Sequence, residues 1–240
     1  MPSTPQFLVT AGGTREPIDR VRDWGNVFTG NTGYAIARSL ADVGPVTLLT
    51  SNANHVAEIR QELSTRHPLR AVSFRSYDDL RVGLERAMTT DHYAGVFMTA
   101  AVSDYTPDGA FQVVERTPGP DGTETWVVRP AQAGKVKSTF ERMAVLGRRT
   151  EKLVDLFRTR WGFGGLLVKF KLEVGITRDR LIEIGQASRA ASGANYLVAN
   201  TLEMVDGPGA GAYLLSDTGA EWVGRADLAA RLRALAEGMV

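Results

Sequence analysis

Residues 7–37 read Phe7-Leu8-Val9-Thr10-Ala11-Gly12-Gly13-Thr14-Arg15-Glu16-Pro17-Ile18-Asp19-Arg20-Val21-Arg22-Asp23-Trp24-Gly25-Asn26-Val27-Phe28-Thr29-Gly30-Asn31-Thr32-Gly33-Tyr34-Ala35-Ile36-Ala37. The apolar run Phe7–Ala11 has the length and composition of a buried strand. A glycine-rich loop leaves it, and a second glycine cluster opens a helical pattern. Strand, loop and helix N-terminus together form a place for an anion, because free backbone N–H groups point outward there and the helix dipole favours negative charge. The expectation is an α/β protein that handles a nucleotide or a phosphate.

Glycines alone do not separate the motifs that use them. Gly25-x-x-x-x-Gly30-Asn31-Thr32 has the outline of a phosphate-binding P-loop, but asparagine stands where that motif needs lysine. Thr29-Gly30-x-x-Gly33 has the outline of a dinucleotide fingerprint, whose glycines allow a tight turn and a close approach to pyrophosphate. Turns and helix packing require glycine as well.

Outward from this stretch, strand and helix alternate through residue 105. Helical spacing covers 32–43, 53–64 and 78–88; strands fall at 46–50, near 70–74 and at 93–99. Alternation of this kind implies a parallel sheet. The pattern then changes. Phe111–Glu115 and Thr125–Arg129 flank a Pro/Gly-rich turn and read as a hairpin, followed by a loop that carries Gly134-Lys135-Val136-Lys137. Helix 150–160, strand 165–172, helix 177–191, strand 196–199, a hairpin through Asp217-Thr218-Gly219 and a closing helix 225–239 complete the chain. The expected fold is a Rossmann-like three-layer α/β domain over residues 1–240. A central, mostly parallel sheet carries a hairpin and flap insertion at about 108–140.

Composition narrows the function. A net charge of +1 gives no global attraction for nucleic acid. No apolar run approaches the roughly 18 residues that span a membrane, and the polar N-terminus has no signal-peptide core. The chain has no cysteine, which removes disulfides, thiolate metal sites and a cysteine nucleophile. A cytoplasmic protein is the expectation. His55, His67 and His92 are scattered without metal-ligand spacing and read as surface or rim residues. Asp217-Thr218-Gly219 shares its letters with the aspartic-protease triplet, but a hairpin turn explains it.

Several positions carry chemistry. Ala100 and Ala101 follow a parallel strand at the sheet edge where open α/β folds bind ligands. Their small side chains admit a nucleotide to the backbone, and Asp104 is placed to accept from a base or ribose. Lys135 and Lys137 offer compact charges for phosphate on a loop. Lys169 and Lys171 alternate on one face at the end of a buried strand, where each needs a phosphate, carboxylate or acidic partner.

Five pieces, in order, resemble phosphopantothenate–cysteine ligase: Ala11-Gly12-Gly13-Thr14-Arg15-Glu16-Pro17-Ile18-Asp19, Ala100-Ala101-Val102-Ser103-Asp104-Tyr105, the Lys135-Val136-Lys137 loop, Phe170-Lys171-Leu172-Glu173, and Leu197-Val198-Ala199-Asn200. The resemblance spans nearly the whole chain, in the form of a stand-alone second domain of the bacterial DNA/pantothenate metabolism flavoproteins. It implies a homodimer and a two-step ligation of 4′-phosphopantothenate to cysteine in coenzyme A biosynthesis. The nucleotide is CTP in most bacterial members and ATP in eukaryotic ones, with Mg²⁺ on the triphosphate; the flavin belongs to the other domain and none is expected here. By resemblance, Asn26 contacts the acyl intermediate, and Ala100 lies near nucleotide and acyl group. Lys135 and Lys137 belong to the flap over the substrate. Gly12, Gly13, Gly30, Gly33, Ala101, Asp104, Phe170, Lys171 and Arg189 line the nucleotide.

The chain departs from the family pattern at Phe28-Thr29-Gly30-Asn31, where a lysine is usual. A further departure lies on the helix before the last parallel strand. Ser188 and Ser192 stand there in place of lysines, with Arg189 the nearby base. Lys169, Lys171 and Arg189 are the candidates to compensate. Two other functions compete: a non-catalytic nucleotide- or metabolite-binding homologue, and an NAD(P)-dependent oxidoreductase of the short-chain type. The second lacks its Tyr-x-x-x-Lys pair.

Overall fold

The computed structural model describes residues 4–62, 68–131, 136 and 139–238. The apolar run at the start is β1 (Phe7–Ala11), buried at every position. A short ribbon of β2 (Arg15–Pro17) and β3 (Asp23–Gly25) follows, then α1 (Asn31–Leu40), β4 (Val46–Thr50), α2 (Ala53–Glu62), β5 (Leu69–Ser73), α3 (Tyr77–Thr90) and β6 (Gly95–Met98). Next come β7 (Tyr105–Pro118), β8 (Glu124–Pro130), β9 (Met143–Arg149), α4 (Leu153–Thr159), β10 (Leu166–Glu173), α5 (Arg178–Ala191) and β11 (Tyr196–Thr201). β12 (Gly211–Ser216), β13 (Gly219–Gly224) and α6 (Leu228–Glu237) close the chain.

The central sheet has the order β13-β12-β11-β10-β6-β1-β4-β5. Strands β5 through β11 in that order are parallel, and the last two join antiparallel. From β1 the chain first builds outward through β4 and β5, then crosses to β6 and builds the other way. The order reverses between β1 and β6, so the ligand crevice of such a sheet lies outside the carboxyl ends of these two strands.

Because the inner parallel strands are covered on both sides, their residues alternate between two cores. Phe7, Val9, Val168 and Val198 pack with Ile36, Leu40, Ile59 and Leu232 beneath α1, α2 and α6. Leu8, Val96 and Leu167 pack with Leu80, Leu84, Leu156 and Phe157 beneath α3 and α4, and α5 seals Leu197 and Leu215 through Leu181. Each such side chain contributes about 1.5–3 kcal/mol on burial. The start of α3 is fixed by a reciprocal cap. The Ser76 hydroxyl accepts from the Asp79 N–H at 3.1 Å, and the Asp79 carboxylate accepts from the Ser76 N–H at 2.9 Å.

The expected hairpin is larger than the sequence suggests. β7 and β8 pair, but β9 adds to the other edge of β7, giving a separate three-stranded antiparallel sheet. Consequently helix α4 begins at Leu153 rather than 150. Met143–Arg149 includes a glycine and two terminal arginines and lacks a clear alternation, so its strand character comes from pairing rather than propensity. The Asp217–Thr218 turn does join β12 to β13, with Ser216 opposite Gly219.

Candidate active site at the sheet switch point

Two glycines bring α1 onto the end of β1. Gly30 takes φ +81°, and a Cβ there would sit 2.2 Å from the Gly12 nitrogen; a Cβ on Gly33 would sit 2.2 Å from Thr99 Oγ1 and 2.9 Å from the Thr10 oxygen. The two glycine clusters are therefore back to back. Among the described residues no side chain caps α1, so the N–H groups of its first turn face an anion site.

Ala101 is the junction of the crevice floor. Its N–H donates to Gly12 O at 2.8 Å, and its carbonyl accepts from the Thr14 N–H at 3.1 Å and from Asn26 Nδ2 at 2.8 Å. Gly13 pairs with Ala101 as a parallel bridge and donates its N–H to Ser51 Oγ at 3.0 Å. The Ala100 N–H donates to Thr10 Oγ1 at 3.1 Å. Both alanine N–H groups are thus occupied, and what they offer a ligand is methyl surface and the Ala100 carbonyl. Asn26 is held by its nitrogen, and its carboxamide oxygen has no hydrogen-bond partner among the described residues.

Two compartments meet above this floor, sharing Phe28, Ala100, Ala101 and Phe170–Leu172 as a common wall. The first lies over the open end of α1 and includes Gly12, Gly30, Asn31, Gly33, Asn200 and Arg225. The second includes Asn26, Asp104, Lys152, Asp155, Lys169 and Ser188. Lys171 belongs to both and pairs with Glu173 at 2.9 Å. Asp104 forms an ion pair with Lys152, so its carboxylate is already partly neutralised.

The structure brings together Gly12, Gly30, Gly33, Asn26, Ala100, Ala101, Asp104, Phe170 and Lys171, with Gly13 behind the floor. Arg189 is not among them. Its side chain is buried and turned away from the crevice. It bonds Gln186 Oε1 at 2.8 Å and the carbonyls of Ala194 and Asn195, and pairs with Asp217. It ties α5 to the β12–β13 turn, and the expectation that it lines the nucleotide is corrected. Lys135 and Lys137 lie outside the described residues. Val136, between them in the chain, is buried and clasped. Its N–H donates to Asp19 Oδ2 at 2.9 Å, and its carbonyl accepts from the Arg22 guanidinium at 2.6 Å. Asp19 accepts from Val136, Val21 and Arg22, which holds its carboxyl far below the usual range.

His55 corrects a second expectation. It is buried, stacked on Tyr34 with ring centroids 4.3 Å apart, and hydrogen bonded to Thr50, Asn52 and Asn31. Burial pushes its pKa below the ordinary value. It supports Asn31 at the mouth of α1 from behind. His92 is exposed, and His67 lies outside the described residues. The wall made by Thr150–Asp155 was not read from sequence, because those residues look like the start of a helix.

Residues 3–113 match the model of the DNA/pantothenate metabolism flavoprotein C-terminal domain. A coenzyme A biosynthesis bifunctional protein CoaBC from Thermococcus kodakarensis is 26% identical over 199 residues, 82% of this chain. The first half of the chain is similar to this family's domain.

The aligned part is 41% of the Thermococcus protein, so the chain spans about two fifths of that relative's length. The CoaBC protein of Mycobacterium tuberculosis is 39% identical over 103 residues, 42% of this chain and 22% of that protein. Among solved structures, the DNA/pantothenate metabolism flavoprotein from Streptococcus pneumoniae superposes with a TM-score of 0.76 at 23% identity, covering 99% of this chain and 100% of that one. A Cab2 variant in complex with phosphopantothenate-cysteine superposes with a TM-score of 0.69 at 16% identity, covering 98% and 87%. These structures share the fold of this chain. No helix among its described residues is long and apolar enough to cross a membrane.

Proposed function

We propose that this protein joins 4′-phosphopantothenate to L-cysteine at the expense of a nucleoside triphosphate, CTP in preference to ATP. The observation that carries the reading is the pair of compartments meeting at Ala100, Ala101 and Phe170–Leu172. Two bulky anionic substrates could enter from opposite sides and present one carboxylate to one phosphate there.

In the first step a substrate carboxylate oxygen attacks the α-phosphorus, the bond to the β-phosphate breaks, and pyrophosphate leaves. In the second the neutral amine of cysteine attacks the acyl carbon, the carbon–oxygen bond to the nucleotide breaks, and the amine gives up a proton. Neither step needs a protein nucleophile; both need alignment and charge stabilisation. The N–H groups of α1 and the glycine loops receive phosphate oxygens in the first compartment. Asn26 orients the acyl group through its free carboxamide oxygen, and Lys135 and Lys137 add charge from the flap segment. Mg²⁺ would accompany the triphosphate, as such ions usually do, and would supply further neutralisation of the phosphates; Asp104 and Asp155 of the neighbouring second compartment are the carboxylates that could hold it where the two compartments meet.

The reading includes a cytoplasmic setting and a homodimer. The exposed Trp126, Val127 and Val128 of β8 support a self-association surface. Light scattering of the purified chain tests the dimer. The activity is tested by pyrophosphate release with 4′-phosphopantothenate, cysteine and Mg²⁺, with CTP and ATP supplied separately. Release that requires phosphopantothenate, with an amide product, is expected. Nucleotide binding by folded protein without release would favour a non-catalytic homologue instead.

A further inference from the structure

Among the described residues three lysines line the second compartment, and they are not equivalent. Lys152 pairs with Asp104 and Lys171 with Glu173. The Lys169 ammonium instead contacts only neutral oxygens: the Ser188 carbonyl at 3.1 Å, Ser188 Oγ at 3.0 Å and Ser192 Oγ at 3.2 Å. Among the described residues it has no ion-pair partner. Its burial is the main cause that pushes its pKa down; Asp155 attracts it from a distance, while Lys152 and Lys171 repel it. A half-buried cation without a counter-charge is costly to keep.

Helix capping does not account for it. The Ser188 carbonyl at the end of α5 already accepts from the Ser192 hydroxyl at 3.1 Å and the Ser192 N–H at 3.4 Å. That carbonyl would be satisfied without a lysine. The ammonium is held at the cavity wall by two hydroxyl-bearing side chains, one of which, Ser188, also lines the cavity. A site built this way lacks only an anion.

We propose that Lys169, seated on Ser188 and Ser192, binds a phosphate group in the second compartment, with the Ser188 hydroxyl turning to donate a second bond to the same group. The inference rests on the ligase reading for the two sources of that phosphate: the monoester of phosphopantothenate and the polyphosphate of the nucleotide.

The test is Lys169→Met, which keeps the buried aliphatic stem and removes the charge. In steady-state assays the KM for one of the two phosphates should rise about tenfold or more, the loss expected for a charge-assisted hydrogen bond. The KM for the other should stay within about twofold of wild type. Whichever rises names the source, and Lys169→Arg should recover part of the loss. A folded Lys169→Met protein with both values unchanged overturns the proposal. A second measurement needs neither variant nor turnover. Wild-type protein is acylated at its amines with and without millimolar pyrophosphate or inorganic phosphate, and Lys169 is followed by mass spectrometry. Protection of Lys169 is expected even if no ligation occurs, which separates this proposal from the ligase reading. Absence of protection by both anions overturns it.

Discussion

Gly30→Ala is the sharpest test of how the crevice is built. At φ +81° an alanine costs about 1–2 kcal/mol in left-handed strain. The new Cβ would also lie 2.2 Å from the Gly12 nitrogen, 2.8 Å from its Cα and 2.9 Å from the Ala11 carbonyl carbon. All three are backbone atoms of β1 and its loop, and none can rotate away. Overpacking of that kind adds about 1–3 kcal/mol or more. Gly162 is the internal control, because it has φ +57° and nothing within 4 Å of its added Cβ. Gly162→Ala therefore carries the strain alone. At roughly 2–4 °C per kcal/mol for a chain of this size, Gly162→Ala should lower the Tm by about 2–8 °C, and Gly30→Ala by about 4–20 °C. Thermal unfolding by circular dichroism measures both. If Gly30→Ala is no more destabilising than Gly162→Ala, the back-to-back packing of the glycine clusters is wrong.

Asn26→Ala should lower kcat by an order of magnitude or more while leaving Tm within a few degrees, measured by pyrophosphate release and thermal unfolding; unchanged kcat removes Asn26 from the acyl site. Asp19 has a depressed carboxyl in the folded state, so its contribution is full above the ordinary value of 3.8 and is lost as the pH falls below it. The urea midpoints of wild type and Asp19→Asn should accordingly differ at pH 7 and converge toward pH 3; a constant gap would contradict the clasp on Val136. His55 is held neutral by burial, so the unfolded chain takes up its proton first as the pH drops below 6.5, and native stability falls over that range. His55→Gln should flatten the loss of stability between pH 7 and 5, and parallel curves for the two proteins would argue against that role.

The parts of the fold legible from sequence are those where burial writes a pattern. Phe7–Ala11 is wholly buried and wholly apolar or small, and Gly12, Gly30 and Gly33 sit where no side chain fits. β9 was hidden because an exposed strand in a ribbon need not alternate. Arg189 and Lys169 show the limit at the site. Both are basic residues near the end of α5 in space, and spacing alone does not say which faces the crevice. Helix phase does: Ser188 and Ala191 face the second compartment, and Arg189 is rotated away from it. His55 looked like a surface residue because a single buried imidazole, satisfied by two asparagines and a threonine, has no sequence signature.

The Ala101 junction bears on how the molecule assembles. Its partners are Gly12, Gly13, Thr14 and Asn26, some 75 positions and more away along the chain. Contacts of such long sequence separation are slow to form, because the intervening loop must close first. The crevice floor therefore arises only when β1 and β6 have docked, and no shorter folding intermediate contains it. A ligand that rests on this floor is a ligand of the native state alone. It will shift the unfolding equilibrium by mass action, and saturating nucleotide should protect against proteolysis at segments far from the crevice as well as beside it.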